Sequence, residues 1–194
     1  RVVDYKTGTK KFDLREVYYG LDCQMLLYLF TLERNGGHLF SQGTAAGVEY
    51  LWADPAPENI IRPETDDAEP LQAQNYPLEG LLLDEPSIYH AMDTRGTGAF
   101  VPLSFSAKTG EPTAQSAKAR LADREKFNRI RDHLDGMLTD MAKNLYSGEI
   151  DAAPLVPNAG KSPCLWCEYR TVCRHADGEG ERTPLKPDDP FGAE

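Results

Sequence analysis

The feature that most constrains the fold is a short strand-like run at the start of the chain, Val2-Val3-Asp4-Tyr5-Lys6, which breaks at Gly8. Asp4 and Lys6 are two residues apart, so on an extended strand both side chains point to one face. This pairing suits metal-dependent phosphodiester cleavage, because the carboxylate binds a divalent cation. The amine helps to activate the attacking water or stabilises the charge that builds on the phosphate. An exposed salt bridge on an edge strand is the alternative interpretation.

The next segment, residues 14–34, predicts one amphipathic helix that ends at Gly36-Gly37. Its large side chains recur at spacings of three to four residues, at Val17, Leu21, Met25, Tyr28 and Leu32. Gln24 and Tyr28 are one turn apart and share a helix face, where the amide and the hydroxyl can contact a metal-bound water or a phosphate. The alternative is that Tyr28 packs in the core and Gln24 is solvated.

Three cysteines near the other end form a C-x2-C-x5-C pattern, Cys164, Cys167 and Cys173, whereas Cys23 lies far away on the predicted helix. Without an even disulfide framework, this spacing indicates metal or iron–sulfur ligation. Three thiolates leave a tetrahedral zinc site or a four-cysteine cluster one ligand short. His175 is a possible fourth zinc ligand, although it follows Cys173 at a tight spacing of two.

The strand Asp4–Gly8 and the helix with Gln24 and Tyr28 together resemble the RecB-type PD-(D/E)XK nucleases. The resemblance implies an α/β fold, a partial PD-(D/E)XK (restriction-endonuclease-like) core whose mixed sheet is flanked by helices and carries an inserted middle segment. It also implies that the Asp4 carboxylate and the Tyr5 carbonyl bind catalytic Mg2+. Lys6 would position or activate the attacking water, and Gln24 and Tyr28 would shape the site and contact nucleic acid.

The cysteine triplet resembles that of iron–sulfur nucleases, and the chain is most similar to the AddB family of helicase–nuclease subunits. Residues 24–29, 78–93 and 163–169 carry this likeness. It implies a [4Fe-4S] cluster held by a fourth cysteine upstream of this chain and by Cys164, Cys167 and Cys173. It further implies an Mg2+-dependent DNA exonuclease for double-strand-break repair, with DNA and an AddA-like helicase–nuclease subunit as partners.

Three other functions remain open: a stand-alone iron–sulfur nuclease of the CRISPR type, a non-catalytic module that binds a metal and docks onto a partner helicase, and a zinc-binding interaction domain. The family also needs an acidic residue and a first cysteine upstream of Asp4, and this chain begins at Arg1 without a Met. We therefore expect a fragment that carries half of an active site, is inactive alone and holds no stable cluster. Cys23 is expected to be a small packed side chain rather than a replacement ligand.

The charge is unevenly distributed. The net charge of −10 argues against a surface that coats nucleic acid. Residues 54–69 are acidic, whereas residues 118–131 are basic. The basic stretch either faces phosphate or forms a solvated helix face. The chain has no run of eighteen apolar residues and no charged-then-apolar leader. We therefore expect a cytoplasmic location and no membrane partner.

Five segments are predicted: the second half of the nuclease core (1–40), an elaboration on it (41–112), a long helix (113–150), the cysteine segment (151–176) and a flexible tail (177–194). The elaboration is expected to hold a strand (45–53), an acidic linker to Pro70, one or two short helices (78–92) and a second strand (100–105). The long helix is expected to be capped by Asp123, unless residues 114–122 extend it backwards, and to end at Gly148. His133 is expected to be exposed.

Overall fold

Four strands form one mixed sheet in the order β1 (Val2–Lys6), β2 (Gly47–Trp52), β3 (Leu78–Leu83) and β4 (Leu121–Ala122) in a computed structural model of the chain. The structure describes residues 1–8, 10–38, 43–53, 78–156, 162–173, 175, 180–184 and 189–192. β1 pairs parallel with β2, β2 antiparallel with β3, and β3 parallel with β4. The predicted mixed α/β architecture is confirmed.

Six helices accompany the sheet in the described part of the chain: α1 (Leu14–Tyr18), α2 (Gln24–Asn35), α3 (Pro86–Met92), α4 (Ala114–Arg120), α5 (Arg124–Ser147) and α6 (Arg170–Cys173). Short 3-10 turns follow α2 at Gly36–His38 and precede α6 at Pro163–Trp166. None of the helices in the described ranges combines the length and the apolar character that a bilayer crossing requires.

The main core lies on one face of the sheet, where α2 and α5 pack. Leu26 from α2, Val48 from β2 and Ile130 from α5 are all fully buried in it. A smaller cluster on the opposite face joins Leu82 to Tyr89 and to other apolar residues. Burying each such side chain stabilises the fold by about 1.5–3 kcal/mol, so the two clusters fix the sheet between its helices.

The prediction of one helix over residues 14–34 is wrong, because the chain leaves helical geometry between α1 and α2. Gly20 has φ +83 and Asp22 has φ +55, both in the left-handed region. A Cβ atom at Gly20 would lie 2.8 Å from the sulfur of Met137 on α5. The break therefore brings the chain close to α5, which the apolar periodicity of the segment does not reveal.

The short helices expected within residues 78–92 are only partly correct, since Leu78–Leu83 is the strand β3 and the helix α3 starts at Pro86. A short apolar run fits a buried strand as well as a buried helix. The segment 41–112, expected to elaborate the core, therefore supplies both central strands of the sheet, β2 and β3. The strand expected over residues 100–105 is also wrong, because only Phe105 pairs there, in an isolated bridge with Pro112.

The long helix predicted over residues 113–150 is only partly correct, because residues 114–122 form the separate elements α4 and β4. The helix α5 itself begins after Asp123 and ends at Gly148, as expected. The Asp123 carboxylate accepts a hydrogen bond of 2.7 Å from the Lys126 N–H, and Gly148 ends the helix with φ +78. The expected exposure of His133 is wrong, because its ring is half-buried, stacks on Tyr18 at 4.8 Å and lies 2.8 Å from the Tyr18 carbonyl oxygen. This contact ties α5 to the end of α1.

The end of the chain is less loose than predicted where the structure describes it. The Phe191 ring is buried in the main core, and its carbonyl accepts a hydrogen bond of 2.9 Å from Arg129 Nε. Asp189 pairs with Lys126 at 2.8 Å. Residues 189–192 thus pack against α5, while the predicted acidic linker, 54–70, lies outside the described residues.

Candidate active site

Asp4 and Lys6 lie side by side on β1. Burial alternates along the strand, so Val2, Asp4 and Lys6 face the helix-covered side of the sheet while Val3 and Tyr5 face the other side. Lys6 Nζ lies 2.6 Å from Asp4 Oδ2, and both side chains are about one third exposed. Water and a phosphate group can reach this pair, so the predicted convergence is present. An ion pair on an edge strand is also what the alternative, an exposed salt bridge, describes.

Tyr50 lies beside this pair, and no local pattern in the sequence indicates it. Tyr50 on β2 is the direct cross-strand neighbour of Asp4, is buried, and has its ring centre 5.4 Å from Lys6 Nζ. Burial, followed by the negative charges of Asp22 and Asp4, raises the pKa of its phenol to about 12. The hydroxyl thus stays protonated at neutral pH, and the ring supports the lysine.

The backbone of β1 leaves the Tyr5 carbonyl available. The Ala53 N–H donates a 2.8 Å hydrogen bond to the Lys6 carbonyl, so the backbone groups of Lys6 face β2. Successive residues of a strand direct their backbone groups to opposite sides, which turns those of Tyr5 towards the outer edge. Among the described residues no strand pairs with this edge.

The donors on β1 suit a hard divalent cation, because Mg2+ binds carboxylate and carbonyl oxygens and completes its shell with water and substrate phosphate. Asp4 offers two carboxylate oxygens and Tyr5 offers one carbonyl oxygen. Across the residues that the structure describes, no group of three or more His, Cys, Asp or Glu side chains is close enough to hold a metal ion. Asp4 and Tyr5 thus fit part of a magnesium site.

A second set of charged residues, which includes Asp22 and Lys10, lies beside Tyr50. Asp22 forms a close ion pair with Lys10, and the Lys10 carbonyl accepts a hydrogen bond of 3.1 Å from the Trp52 indole on β2. Burial, followed by a hydrogen bond with Asp22, raises the pKa of Glu16. These contacts hold the loop after β1 against the end of the sheet, next to Asp4 and Lys6.

Gln24 and Tyr28 form a second pair, on α2. Gln24 Nε2 donates a hydrogen bond of 2.8 Å to Tyr28 Oη. Both residues are exposed, with Tyr28 53% accessible, so the alternative in which Tyr28 packs in the core is wrong. No hydrogen bond or ion pair joins this pair to Asp4 or Lys6 within the described ranges.

The cysteines have two different environments. Cys23 is buried, its thiol donates to the Leu21 carbonyl at 3.3 Å, and burial raises its pKa to about 11, as expected of a packed side chain. Cys164, Cys167 and Cys173 are free thiols that are partly or fully exposed. They lie on the 3-10 turn and α6 and, with His175, form no metal-binding group in the part of the chain that the structure describes.

Comparison with known proteins gives one family. Residues 1–174 match the PD-(D/E)XK nuclease superfamily. Curated relatives, each named as a subunit of an ATP-dependent helicase/deoxyribonuclease, are 29% identical over 178 residues in Clostridium botulinum, 30% over 181 in Exiguobacterium sibiricum and 31% over 179 in Clostridium kluyveri. Each alignment covers 90% of this chain, and the chain spans only 15–16% of the length of these relatives.

Proposed function

Since the chain belongs to the PD-(D/E)XK nuclease superfamily, we propose that it is the nuclease domain of a helicase–nuclease subunit and hydrolyses DNA phosphodiester bonds with Mg2+. The observation that carries the proposal is the 2.6 Å contact between Asp4 and Lys6 on one face of β1. A carboxylate and an ammonium at this distance, reachable from solvent, suit phosphodiester hydrolysis.

Asp4 and the Tyr5 carbonyl would hold the Mg2+ ion, which when bound neutralises charge on the scissile phosphate. The Lys6 ammonium donates to Asp4 and is supported by the Tyr50 ring, so it is placed to orient the attacking water or to stabilise the phosphate charge. Among the described residues, Asp4 and Tyr5 supply only part of a metal site, so the remaining protein ligands would come from elsewhere in the protein.

Gln24 and Tyr28 would contact the DNA strand. Their hydrogen bond fixes both side chains on the exposed face of α2, a helix whose other face packs against the sheet that carries Asp4. An amide and a phenol hydroxyl both bind phosphate oxygens, and contacts of this type hold a strand without reading its sequence.

The name that the relatives carry, which describes one subunit of an ATP-dependent helicase/deoxyribonuclease, supports DNA as the substrate and a multisubunit enzyme as the setting. We propose that the partner is an AddA-like helicase–nuclease subunit and that the complex processes double-strand ends for recombinational repair. The relatives are bacterial enzymes that act on DNA, which supports a cytoplasmic location.

We further propose that Cys164, Cys167 and Cys173 are three ligands of a [4Fe-4S] cluster whose fourth ligand is an upstream cysteine. Their exposure and their free thiols leave all three able to bind iron. The cluster would be structural, because no hydrogen bond or ion pair joins the cysteine segment to Asp4 or Lys6 in the described residues.

The test is cleavage of end-labelled DNA by the full-length subunit that carries this domain, assayed with Mg2+ and with a partner whose own nuclease activity has been removed. Lys6→Ala should lower the cleavage rate by at least about 100-fold, because it removes the ammonium that would orient the attacking water or stabilise the phosphate charge. The Kd for DNA should stay within about threefold. Lys108→Ala, which removes an exposed lysine far along the chain, is the control and should cleave normally. Retained Mg2+-dependent cleavage in the Lys6→Ala protein would disprove the assignment.

A further inference from the structure

We propose that a basic groove beside the catalytic strand binds the sugar–phosphate backbone of single-stranded DNA. The groove has a volume of about 490 Å3, and its basic and aromatic walls are formed by Lys11, Phe12, Arg15, Lys118, Arg120 and Lys126. This inference rests on the proposed function, which supplies DNA as the substrate. It adds a binding site that lies outside the Asp4–Lys6 pair.

The charge of the groove is opposite to that of the chain. Five cationic side chains face three carboxylates, those of Asp13, Glu79 and Asp189, which leaves a net charge of +2 in a protein with a net charge of −10. An acidic surface repels nucleic acid, so a positive groove within it localises the phosphate backbone at that groove. Three of the six cations of the basic run 118–131 line this wall, Lys118, Arg120 and Lys126.

Three of the five cations are held by carboxylates of the groove. Arg120 donates to both oxygens of Glu79, Lys126 lies 2.8 Å from Asp189, and Arg15 lies 2.6 Å from Asp13. Lys11 and Lys118 are exposed, and neither has an ion-pair partner among the described residues. These two lysines therefore remain available for phosphate.

An aromatic contact connects the groove to the catalytic pair. The half-buried Phe12 ring lies 6.4 Å from the Tyr50 ring, and Tyr50 in turn supports Lys6. Single-strand binding sites combine a positive groove with an aromatic face on which bases stack. Phe12 lines the groove and would supply such a face there.

The sheet fixes the distance between groove and catalytic pair. Asp4, Tyr50 and Glu79 are direct neighbours across β1, β2 and β3, and Glu79 lines the groove. Adjacent strands are about 4.8 Å apart, so Glu79 lies roughly 10 Å from Asp4 along this row. A volume of 490 Å3 is typical of pockets for small ligands, so it accommodates part of one strand rather than a duplex.

The experiment measures fluorescence anisotropy of a labelled oligothymidine with this chain in EDTA, over a range of salt concentrations. The variant Lys11→Gln/Lys118→Gln should raise the Kd at least tenfold at about 0.1 M salt and lower the slope of log K against log salt by about 1.4, because two phosphate contacts are lost. The control, Lys108→Gln/Lys143→Gln, removes the same charge outside the groove and should bind as the unmodified chain does. Circular dichroism verifies that both variants are folded.

Equal weakening in both double variants would overturn the proposal, because binding would then depend on net charge alone. Equally tight binding of duplex DNA, with the same sensitivity to Lys11 and Lys118, would overturn the choice of a single strand. Binding of an acidic peptide without binding of the oligonucleotide would assign the groove to a protein partner instead. Groove-dependent binding in a full-length protein that never cleaves DNA would disprove the nuclease function and leave the groove assignment intact.

Discussion

Lys6 Nζ lies 5.4 Å from the centre of the Tyr50 ring, on the same face of the sheet as its ion-pair partner Asp4. A cation above an aromatic face is stabilised by about 0.5–2 kcal/mol, depending on how dry the site is. Tyr50 is buried, so the ring cannot move away from the lysine. The position of the Lys6 ammonium is therefore determined by packing within the sheet as well as by the Asp4 carboxylate.

Replacing Tyr50 should change catalysis through Lys6. Tyr50→Leu removes the aromatic face, so we expect the single-turnover cleavage rate of the full-length subunit to fall by about tenfold, with little change in the Kd for DNA. Tyr50→Phe keeps the face and should retain at least about half of the rate. Similar rates in the two variants would show that the hydroxyl or the side-chain volume matters rather than the ring.

Glu49 should give the fold a distinct pH dependence. It is buried on β2, and its carboxylate oxygens lie 2.9 and 3.2 Å from the Arg1 guanidinium. Burial raises its pKa to about 7, although the charge of Arg1 acts in the opposite direction. In the folded state Glu49 keeps its proton up to about pH 7, whereas in the unfolded chain it releases the proton near pH 4.5. The contribution of Glu49 to the free energy of unfolding therefore falls as the pH rises from 4.5 to 7.

The measurement is urea unfolding of the chain at several pH values between 4.5 and 8. Relative to Glu49→Gln, which cannot ionise, the unmodified chain should lose on the order of 3 kcal/mol of unfolding free energy across this window. Glu125→Gln, at an exposed position on α5, is the control and should follow the unmodified chain. A constant difference between Glu49→Gln and the unmodified chain at all pH values would contradict the raised pKa.

Gly80 marks the closest approach between the central strands. A Cβ atom there would lie 2.1 Å from the Val48 carbonyl oxygen and 2.9 Å from the Glu49 Cα, both of them backbone atoms. Gly80→Ala should therefore destabilise the fold by about 3 kcal/mol or more in urea unfolding. Gly136→Ala, on α5 with open space around it, should stabilise the chain by about 0.5–1 kcal/mol. Equal effects in the two variants would contradict the packing of β2 against β3.

Local patterns predicted the parts of this structure that depend on local chemistry. The cap at Asp123, the end of α5 at Gly148 and the shared face of Asp4 and Lys6 each follow from residues close together in the chain. Tyr50 could not be identified in this way, because its position beside Lys6 depends on the pairing of β1 with β2, more than forty residues apart in sequence. The same holds for the groove, whose lysines come from the loop before α1, from α4 and from α5.

The last prediction concerns the cysteine segment. The full-length subunit, purified without oxygen, should contain about four iron atoms per domain and show visible iron–sulfur absorbance. Cys167→Ser should abolish this absorbance, because the exposed thiol is a proposed cluster ligand. Cys23→Ser should retain the absorbance, since Cys23 is buried and its thiol donates a hydrogen bond to the Leu21 carbonyl. A serine hydroxyl can make the same hydrogen bond. One zinc ion per protein with no iron would contradict the cluster, and it would identify the segment as a zinc site that needs one further ligand besides Cys164, Cys167 and Cys173.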